Sequence, residues 1–166
     1  MGYVGNLLNT SYMRDFNHTL NVLVKAYLND TLQHGRCTAC AVGNMICDSL
    51  NIETYKTEDG NIHWKNNIFY WDEVVCTRMG NQRIHMDNYL GQAKYQIDST
   101  GYSVEEIAKI EFAFEARVKY DDFGQVIGDK DIAMFKGLMA VVDVLADIHG
   151  IDLKAKEEAK ALFVKA

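Results

Sequence analysis

The chain contains no proline in 166 residues. Average usage of about 5% would give roughly eight prolines in a chain of this length. Because proline removes a backbone donor and clashes with the preceding turn of a helix, its absence favours long, uninterrupted helices. We therefore expect a mostly α-helical bundle, and the length suits a single domain over residues 1–166 with its own hydrophobic core.

The spacing of the apolar residues predicts six helices after a loose lead-in over residues 1–9. Thr10 or Ser11 is the candidate N-cap of the first helix, and Gly35 its candidate end. Ser103 and Glu106 fit a capping box. The predicted ranges are about 12–33, 37–50, 81–97, 104–119, 130–148 and 153–164, with Asp152 capping the last and His149-Gly150 ending the fifth. The first and fifth helices are expected to form the centre of the bundle.

A small β-hairpin is predicted within residues 54–72. Glu58-Asp59-Gly60-Asn61 is a turn signal, and the aromatic-rich segments Ile62–Trp64 and Ile68–Trp71 suit two short strands.

In the helix predicted after Ser103, Ile107, Ile110 and Phe114 define the apolar side, with Glu111 and Glu115 expected on other sides. The acidic, glycine-containing segment 121–130 is expected to be a solvated loop.

The formal net charge of −6 argues against nucleic acid as a partner, because phosphate binding requires a concentrated basic face. Apolar runs end well before about 18 residues, so no membrane span is expected. The first residues lack a basic region followed by an apolar block, which argues against a signal peptide. A cytoplasmic protein is the resulting expectation, and its cysteines are then read as thiols or ligands rather than as disulfides.

Residues 34–47 hold three of the four cysteines and one of the five histidines. If a helix begins near Cys37, steps of three and four place Cys37, Cys40, Asn44 and Cys47 on one face. Histidine and cysteine at the spacing His34-x2-Cys37-x2-Cys40 are ligands that zinc prefers. The predicted structural zinc site is His34, Cys37, Cys40 and Cys47, with His63, Cys76 and His18 as alternative fourth ligands.

Two other interpretations of the cysteines stand beside the zinc site. Free cysteine is among the most buried residue types and packs like a small hydrophobe. Alternatively, Cys37 and Cys40 form a redox dithiol, since the start of a helix lowers the pKa of the first thiol. A βαβ context typical of thioredoxin-like proteins does not precede this pair.

The aromatic residues Trp64, Tyr70 and Trp71 admit a functional and a structural interpretation. They suit a stacking surface for a nucleobase, sugar or peptide. They equally suit core and hairpin packing. Motifs of the GxSxG, HExxH and GxGxxG types are absent from the sequence, so it indicates no enzyme class.

The segment His34-x2-Cys37-x2-Cys40-Ala41-Val42-Gly43-Asn44, followed by Gly101–Glu115, resembles small uncharacterised proteins of Bacteroidetes bacteria and their phages. Some of these carry an automatic name as a subunit of a sodium-pumping quinone reductase, although flavin and ferredoxin-type iron–sulfur spacings are missing here. The resemblance implies a phage or mobile-element origin and a joint role for His34, Cys37 and Cys40.

Taken together, these patterns predict a non-enzymatic binding or accessory protein, phage-encoded and acting on a host or phage protein in the host cytoplasm. Its Cys/His cluster would be structural and hold zinc. One alternative is a protein that binds a small molecule or signalling nucleotide through Trp64, Tyr70 and Trp71. Another is a thiol-redox protein using Cys37 and Cys40. Homo-oligomerisation remains open.

Overall fold

A computed structural model describes residues 15–66, 69–76, 83–84 and 91–165. Within these ranges the fold is mostly α, as predicted, with six helices and short antiparallel strand pairs. The helices are α1 (Phe16–Leu28), α2 (Ala41–Leu50), α3 (Gln92–Ser99), α4 (Val104–Glu115), α5 (Lys130–His149) and α6 (Leu153–Lys160). The strands are β1 (Thr54–Lys56), β2 (Ile62–Trp64), β3 (Val75–Cys76) and β4 (Arg83–Ile84).

Side-chain caps set several of the helix boundaries. Ser103 accepts from the Glu106 amide and Glu106 reaches back to the Ser103 amide, which confirms the capping box at the start of α4. Asp152 accepts from the Ala155 amide at the start of α6, also as predicted. Gly150 ends α5 in the left-handed conformation that glycine adopts without strain.

The first helix is shorter than predicted at its C-terminal end. α1 ends at Leu28 instead of residue 33, because Asp30 turns into the left-handed region and the Thr31 amide donates to the Ala26 carbonyl. Gly35 is therefore not its stop. Asp15 is the N-cap, accepting from the Asn17 amide. The candidate caps at residues 10–11 and the lead-in over 1–9 lie outside the described residues.

The second helix begins at Ala41, not at Cys37 as predicted. Cys40 is its N-cap in extended conformation, and its sulfur accepts from the Gly43 amide at 3.3 Å. Cys37 lies in the preceding turn, so the predicted helical face with Cys37, Cys40, Asn44 and Cys47 is wrong. Gly43 permits this tight entry: a Cβ there would sit 2.4 Å from the Cys37 carbonyl oxygen.

The hairpin forms in the predicted region with a different pair of strands. β1 pairs antiparallel with β2, Thr54 facing Trp64, across the predicted turn at 58–61. Of the predicted strand 68–71, residue 68 lies outside the described ranges and Trp71–Glu73 is a 3-10 turn. The helix predicted over 81–97 runs instead over 92–99, and residues 83–84 pair with β3.

The α4–α5 pair makes the most extensive contact between helices and forms the centre of the described structure. α5 is central as predicted, whereas α4 takes the place expected for α1. They come close together at Gly137, where a Cβ would lie 2.7 Å from the Phe114 carbonyl oxygen. No helix in the described ranges is both long and apolar enough to cross a membrane.

Candidate functional site

The turn after α1 carries His34 into the protein, toward the C-terminal end of α4. The His34 and Glu115 side chains are each only 2% exposed, and His34 Nδ1 lies 2.8 Å from Glu115 Oε1. The imidazole stacks on the Phe114 ring at a centroid distance of 4.2 Å. Its Cε1 lies 3.2 Å from the position a Cβ would take on Gly137. The tight α4–α5 contact at Gly137 therefore also holds this ring in place.

Glu115 collects donors from three residues. The Gly35 amide lies 3.1 and 3.0 Å from its two carboxyl oxygens, and the Tyr120 hydroxyl donates to Oε2 at 2.6 Å. Burial, together with the hydrogen bond to Glu115, raises the pKa of Tyr120 well above its ordinary value. Tyr120 therefore stays a neutral donor at physiological pH. We call His34, Gly35, Glu115 and Tyr120 the cleft network.

The cleft network fixes the chemistry of the imidazole. An ionised carboxylate only accepts hydrogen bonds, so His34 Nδ1 carries the hydrogen that it donates to Glu115. In the neutral ring the other nitrogen, Nε2, then has a lone pair and accepts. Among the described residues this buried Nε2 has no hydrogen-bond partner. Buried polar atoms are nearly always paired with protein, ordered water or ligand, so this nitrogen needs a partner from outside the described residues.

His34 also belongs to the lining of a cleft of about 460 Å³. We call it the turn cleft, because the 33–36 turn, the 123–126 loop and the ends of α1 and α5 surround it. Its lining is formed by Tyr27, Asp30, Leu32, Gln33, His34, Gly35, Arg36, Asn61, Phe123, Gly124, Gln125, Val126, Lys130, Asp131, Met134 and Lys165. This volume lies within the range of ordinary small-molecule sites, about 300–1,000 Å³.

Arg36 is the second buried polar group of the turn cleft. One terminal nitrogen of its guanidinium, Nη2, lies 2.7 Å from His63 Nε2, which fixes one end of the group. Its Nε is buried and has no hydrogen-bond partner among the residues described. Two neighbouring residues of one turn thus each present an unsatisfied nitrogen, one an acceptor and one a donor.

Lys165, another residue of the turn-cleft lining, interacts with the C-terminal end of α1 and the turn after it. It forms an ion pair with Asp30 and lies over the Tyr27 ring, 4.6 Å from its centroid. The hydrogen bond from Lys165 lowers the pKa of Asp30, and the same bond raises the pKa of Lys165. Both groups therefore stay charged and largely neutralise each other.

The three predicted cysteine ligands have separate partners. The Cys37 sulfur lies 3.3 Å from Asp72 Oδ2, Cys40 caps α2, and the Cys47 sulfur donates to the Ile52 carbonyl. Burial raises the pKa of Cys40 well above its ordinary value, and partial burial raises the pKa of Cys47 to about 11. Thiols that resist ionisation are poor nucleophiles.

The structure turns His34 to Glu115, whereas the sequence prediction placed it with the two thiols. Within the described ranges no three His, Cys, Asp or Glu side chains form a group that could hold a metal ion. The zinc site at His34, Cys37, Cys40 and Cys47 thus stays a prediction without a supporting ligand cluster. The redox dithiol gains no support either, since Cys40 is fully buried.

The aromatic residues predicted as an alternative binding surface lie mostly in the core. Trp64 is 5% and Trp71 1% exposed, and their indole N–H groups donate to the carbonyls of Thr38 and Cys37. Tyr70 is half-buried against the same core. These rings brace the turn that contains the cysteines, and two of the three present almost no surface to a ligand.

Comparison of this chain with known proteins identifies no related protein. No protein-family model matches the chain, and neither a curated protein nor a solved structure does. Functional inference therefore depends on the geometry of the turn cleft and of the network behind it.

Sequence reasoning missed Glu115, Tyr120 and Arg36 as partners of His34. One signal was available: Glu111 and Glu115 occupy the buried side of α4, against the prediction that they lie on its other sides. Charged residues are rarely buried unless paired, so an acidic residue on an apolar helical face indicates a specific partner. The sequence could not identify His34 as the partner of Glu115, because the two residues are 81 positions apart.

Proposed function

We propose that this protein binds a small polar molecule in the turn cleft. The observation that carries the proposal is a pair of buried nitrogens without hydrogen-bond partners among the described residues, His34 Nε2 and Arg36 Nε. The two residues are two positions apart, and both line the cleft. Leaving a buried polar group unsatisfied costs about 1–3 kcal/mol, and a ligand that pairs with it recovers that energy. The proposal moves the predicted small-molecule site from the aromatic residues to the turn cleft.

Rigid support for the site comes from the cleft network. Glu115 holds the imidazole through Nδ1 and the turn backbone through the Gly35 amide, so the position of His34 is set before any ligand arrives. Preorganised polar groups bind more tightly because less ordering is required on association. The geometry supports binding. Among the described residues, the His34 side chain has no hydrogen bond to a hydroxyl or thiol that could act as a nucleophile.

The test is a ligand screen of the full chain by two-dimensional NMR, using a library of charged and neutral metabolites. We expect ligands whose amide shift changes cluster at Gly35, Arg36, Gln125 and neighbouring residues of the turn cleft. Ligands that shift only the groove beside Phe16, Leu20 and Ile151 would contradict the proposal. A library without any hit in the turn cleft would contradict it as well.

A protein partner is the second candidate function, in line with the predicted accessory role. The 121–129 loop and the first turns of α5 expose four large apolar side chains, which we call the apolar edge: Phe123 (88% exposed), Ile127 (57%), Ile132 (54%) and Phe135 (42%). The four lie within thirteen residues of the sequence, and exposed apolar side chains that form a contiguous patch favour a protein interface. A partner captured stoichiometrically by the native chain and lost with Ile132→Asp supports this function, and equal capture by both contradicts it.

A further inference from the structure

The polarity of the turn cleft narrows the class of ligand, provided that the proposed function holds. We infer that the ligand is a small organic anion that also carries hydroxyl groups, with the anionic group on Arg36 and a hydroxyl on His34. Sugar phosphates and sugar acids share this chemistry. The assignment follows from one acceptor, one donor and the distribution of charge around them.

The acceptor is His34 Nε2. We take the ring in its neutral form: with the Nδ1 hydrogen given to Glu115, that form accepts a hydrogen bond at Nε2 and cannot donate one there. A ligand that pairs with this nitrogen must therefore supply an O–H or N–H group. A phosphate or carboxylate oxygen alone does not satisfy it, since a deprotonated anion has no hydrogen to donate.

The donor is Arg36 Nε. A guanidinium offers its N–H groups in a planar fork that matches the oxygens of carboxylate and phosphate. His63 engages Nη2, while Nε is buried without a hydrogen-bond partner in the described part of the chain. Since His63 holds one end of the guanidinium, its orientation is fixed before the anion binds.

The charges around the turn cleft agree with an anionic ligand. Its lining includes the cations Arg36, Lys130 and Lys165 and the acids Asp30 and Asp131. Asp30 and Lys165 neutralise each other, which leaves Arg36 and Lys130 against Asp131, a net charge of +1 on the lining. The Glu115 carboxylate lies behind the lining on His34, and the whole chain has 23 acidic and 17 basic residues.

The experiment titrates the full chain by calorimetry with five probes. Ribose 5-phosphate and gluconate are hydroxylated anions, pentyl phosphate and hexanoate are anions without hydroxyl groups, and ribose is a neutral polyol. We expect one hydroxylated anion to bind at least about tenfold more tightly than its unhydroxylated counterpart and than ribose, as one hydrogen bond to a charged or buried group is worth roughly 1.4 kcal/mol or more. Tighter binding of ribose 5-phosphate would identify the anionic group as a phosphate, and tighter binding of gluconate would identify it as a carboxylate.

Variants assign the two contacts. His34→Asn keeps a donor near the place of Nδ1 and removes the Nε2 acceptor, so it should abolish the preference for hydroxylated probes. Arg36→Gln should weaken both anions about tenfold or more, with Arg36→Lys restoring part of the loss. His18→Asn, on the surface beside Asp48, is the matched control and should change nothing. The comparison between probes on the native chain decides the question even if His34→Asn does not fold.

Three results would overturn the inference. They are equal affinity for ribose and ribose 5-phosphate, equal affinity for hydroxylated and plain anions, and failure of every anion to bind. If anions fail while the NMR screen finds a neutral ligand in the turn cleft, the anion assignment falls and the proposed function stands. If the screen also finds nothing there, both fall.

Discussion

Two histidines beside the long helix α5, the buried His34 and the partly buried His149, show how differently the same side chain is used. His149 ends α5, and its Nε2 lies 2.8 Å from the Tyr102 hydroxyl, which lies 2.8 Å from the Thr19 hydroxyl. We call these three residues the hydroxyl network. His34 packs against Gly137, in the first half of α5, and gives its only hydrogen bond in the described structure to Glu115.

The difference lies in what each network leaves unsatisfied. The hydroxyl network links α1, the loop before α4 and the end of α5 through groups that hydrogen-bond one another, and His149 also packs edge-on against Phe16 and Tyr102. The cleft network instead buries a carboxylate with three donors and still leaves His34 Nε2 without a partner. We interpret the first as a structural joint and the second as a binding element.

The largest expected effect is the loss of Glu115. Glu115→Ala leaves His34 Nδ1, the Gly35 amide and the Tyr120 hydroxyl buried without their acceptor, and each buried donor left unsatisfied costs about 1–3 kcal/mol. Urea denaturation measures the free energy of unfolding. Glu105→Ala, at an exposed position of the same helix, is the control and should cost well under half as much. Equal costs for the two variants would show that the cleft network holds little of the stability.

Gly137→Ala should come next. A Cβ at Gly137 meets the Phe114 carbonyl at 2.7 Å, and backbone atoms there cannot simply rotate away. We expect a loss of about 1–3 kcal/mol from overpacking, although alanine is the better helix former by about 1 kcal/mol. The same variant should displace the His34 ring and weaken ligand binding in the turn cleft. A stability equal to or above that of the native chain would contradict the close α4–α5 contact.

Tyr102→Phe tests the hydroxyl network and should cost less than Glu115→Ala. It removes the hydroxyl between Thr19 and His149 while keeping the ring, and neutral buried hydrogen bonds are worth about 1 kcal/mol each. We expect a loss of about 1–2 kcal/mol in thermal or urea denaturation, with ligand affinity unchanged. A clear change in the affinity for a turn-cleft ligand would refute the division between a joint and a binding element.

Asp143→Asn gives the smallest expected effect and calibrates surface electrostatics against both networks. Although partial burial opposes its ionisation, hydrogen bonds from Lys160 and Lys156 lower the pKa of Asp143 below 3.8. A depressed folded-state pKa stabilises the protein above the unfolded value, and this contribution is lost as the pH falls through the folded value. We expect a cost under about 1 kcal/mol at pH 7, because the pair is solvent-exposed.

The pH dependence of that difference is the check. Native and Asp143→Asn chains should differ at pH 7 and converge as the pH falls below 3.8, where the Asp143 carboxyl of the unfolded chain is protonated. Denaturation midpoints at several pH values measure this convergence. A difference that grows toward low pH would have the wrong sign for an ion pair between α5 and α6.

Local side-chain chemistry explains which parts of the fold were predictable. The Ser103–Glu106 box, the Asp152 cap, the Gly150 end and the 58–61 turn all depend on hydrogen bonds or backbone angles within a few residues, so sequence patterns revealed them. The predicted α1 extends beyond its true end at Leu28, because Asp30 adopts a left-handed conformation. Asparagine and aspartate tolerate this conformation but do not require it, so the sequence does not reveal it.

The cleft network was beyond those patterns because its contacts are distant in sequence. His34, with two cysteines at short spacing, fits a zinc motif equally well, and nothing local reveals a carboxylate 81 positions away. The start of α2 was misplaced for a related reason: Cys40 caps the helix with its sulfur, a role in which cysteine is unusual. Tertiary packing, not local preference, decided both.

The most direct test of a binding role for His34 is the ¹⁵N NMR spectrum of the imidazole rings in histidine-labelled protein, recorded with and without ribose 5-phosphate or gluconate. The account predicts that His34 carries its hydrogen on Nδ1 and that the Nε2 resonance moves on ligand addition, while the His149 resonances stay in place. A hydrogen on His34 Nε2 in the free protein, or Nε2 resonances unmoved by every ligand that binds, would contradict it.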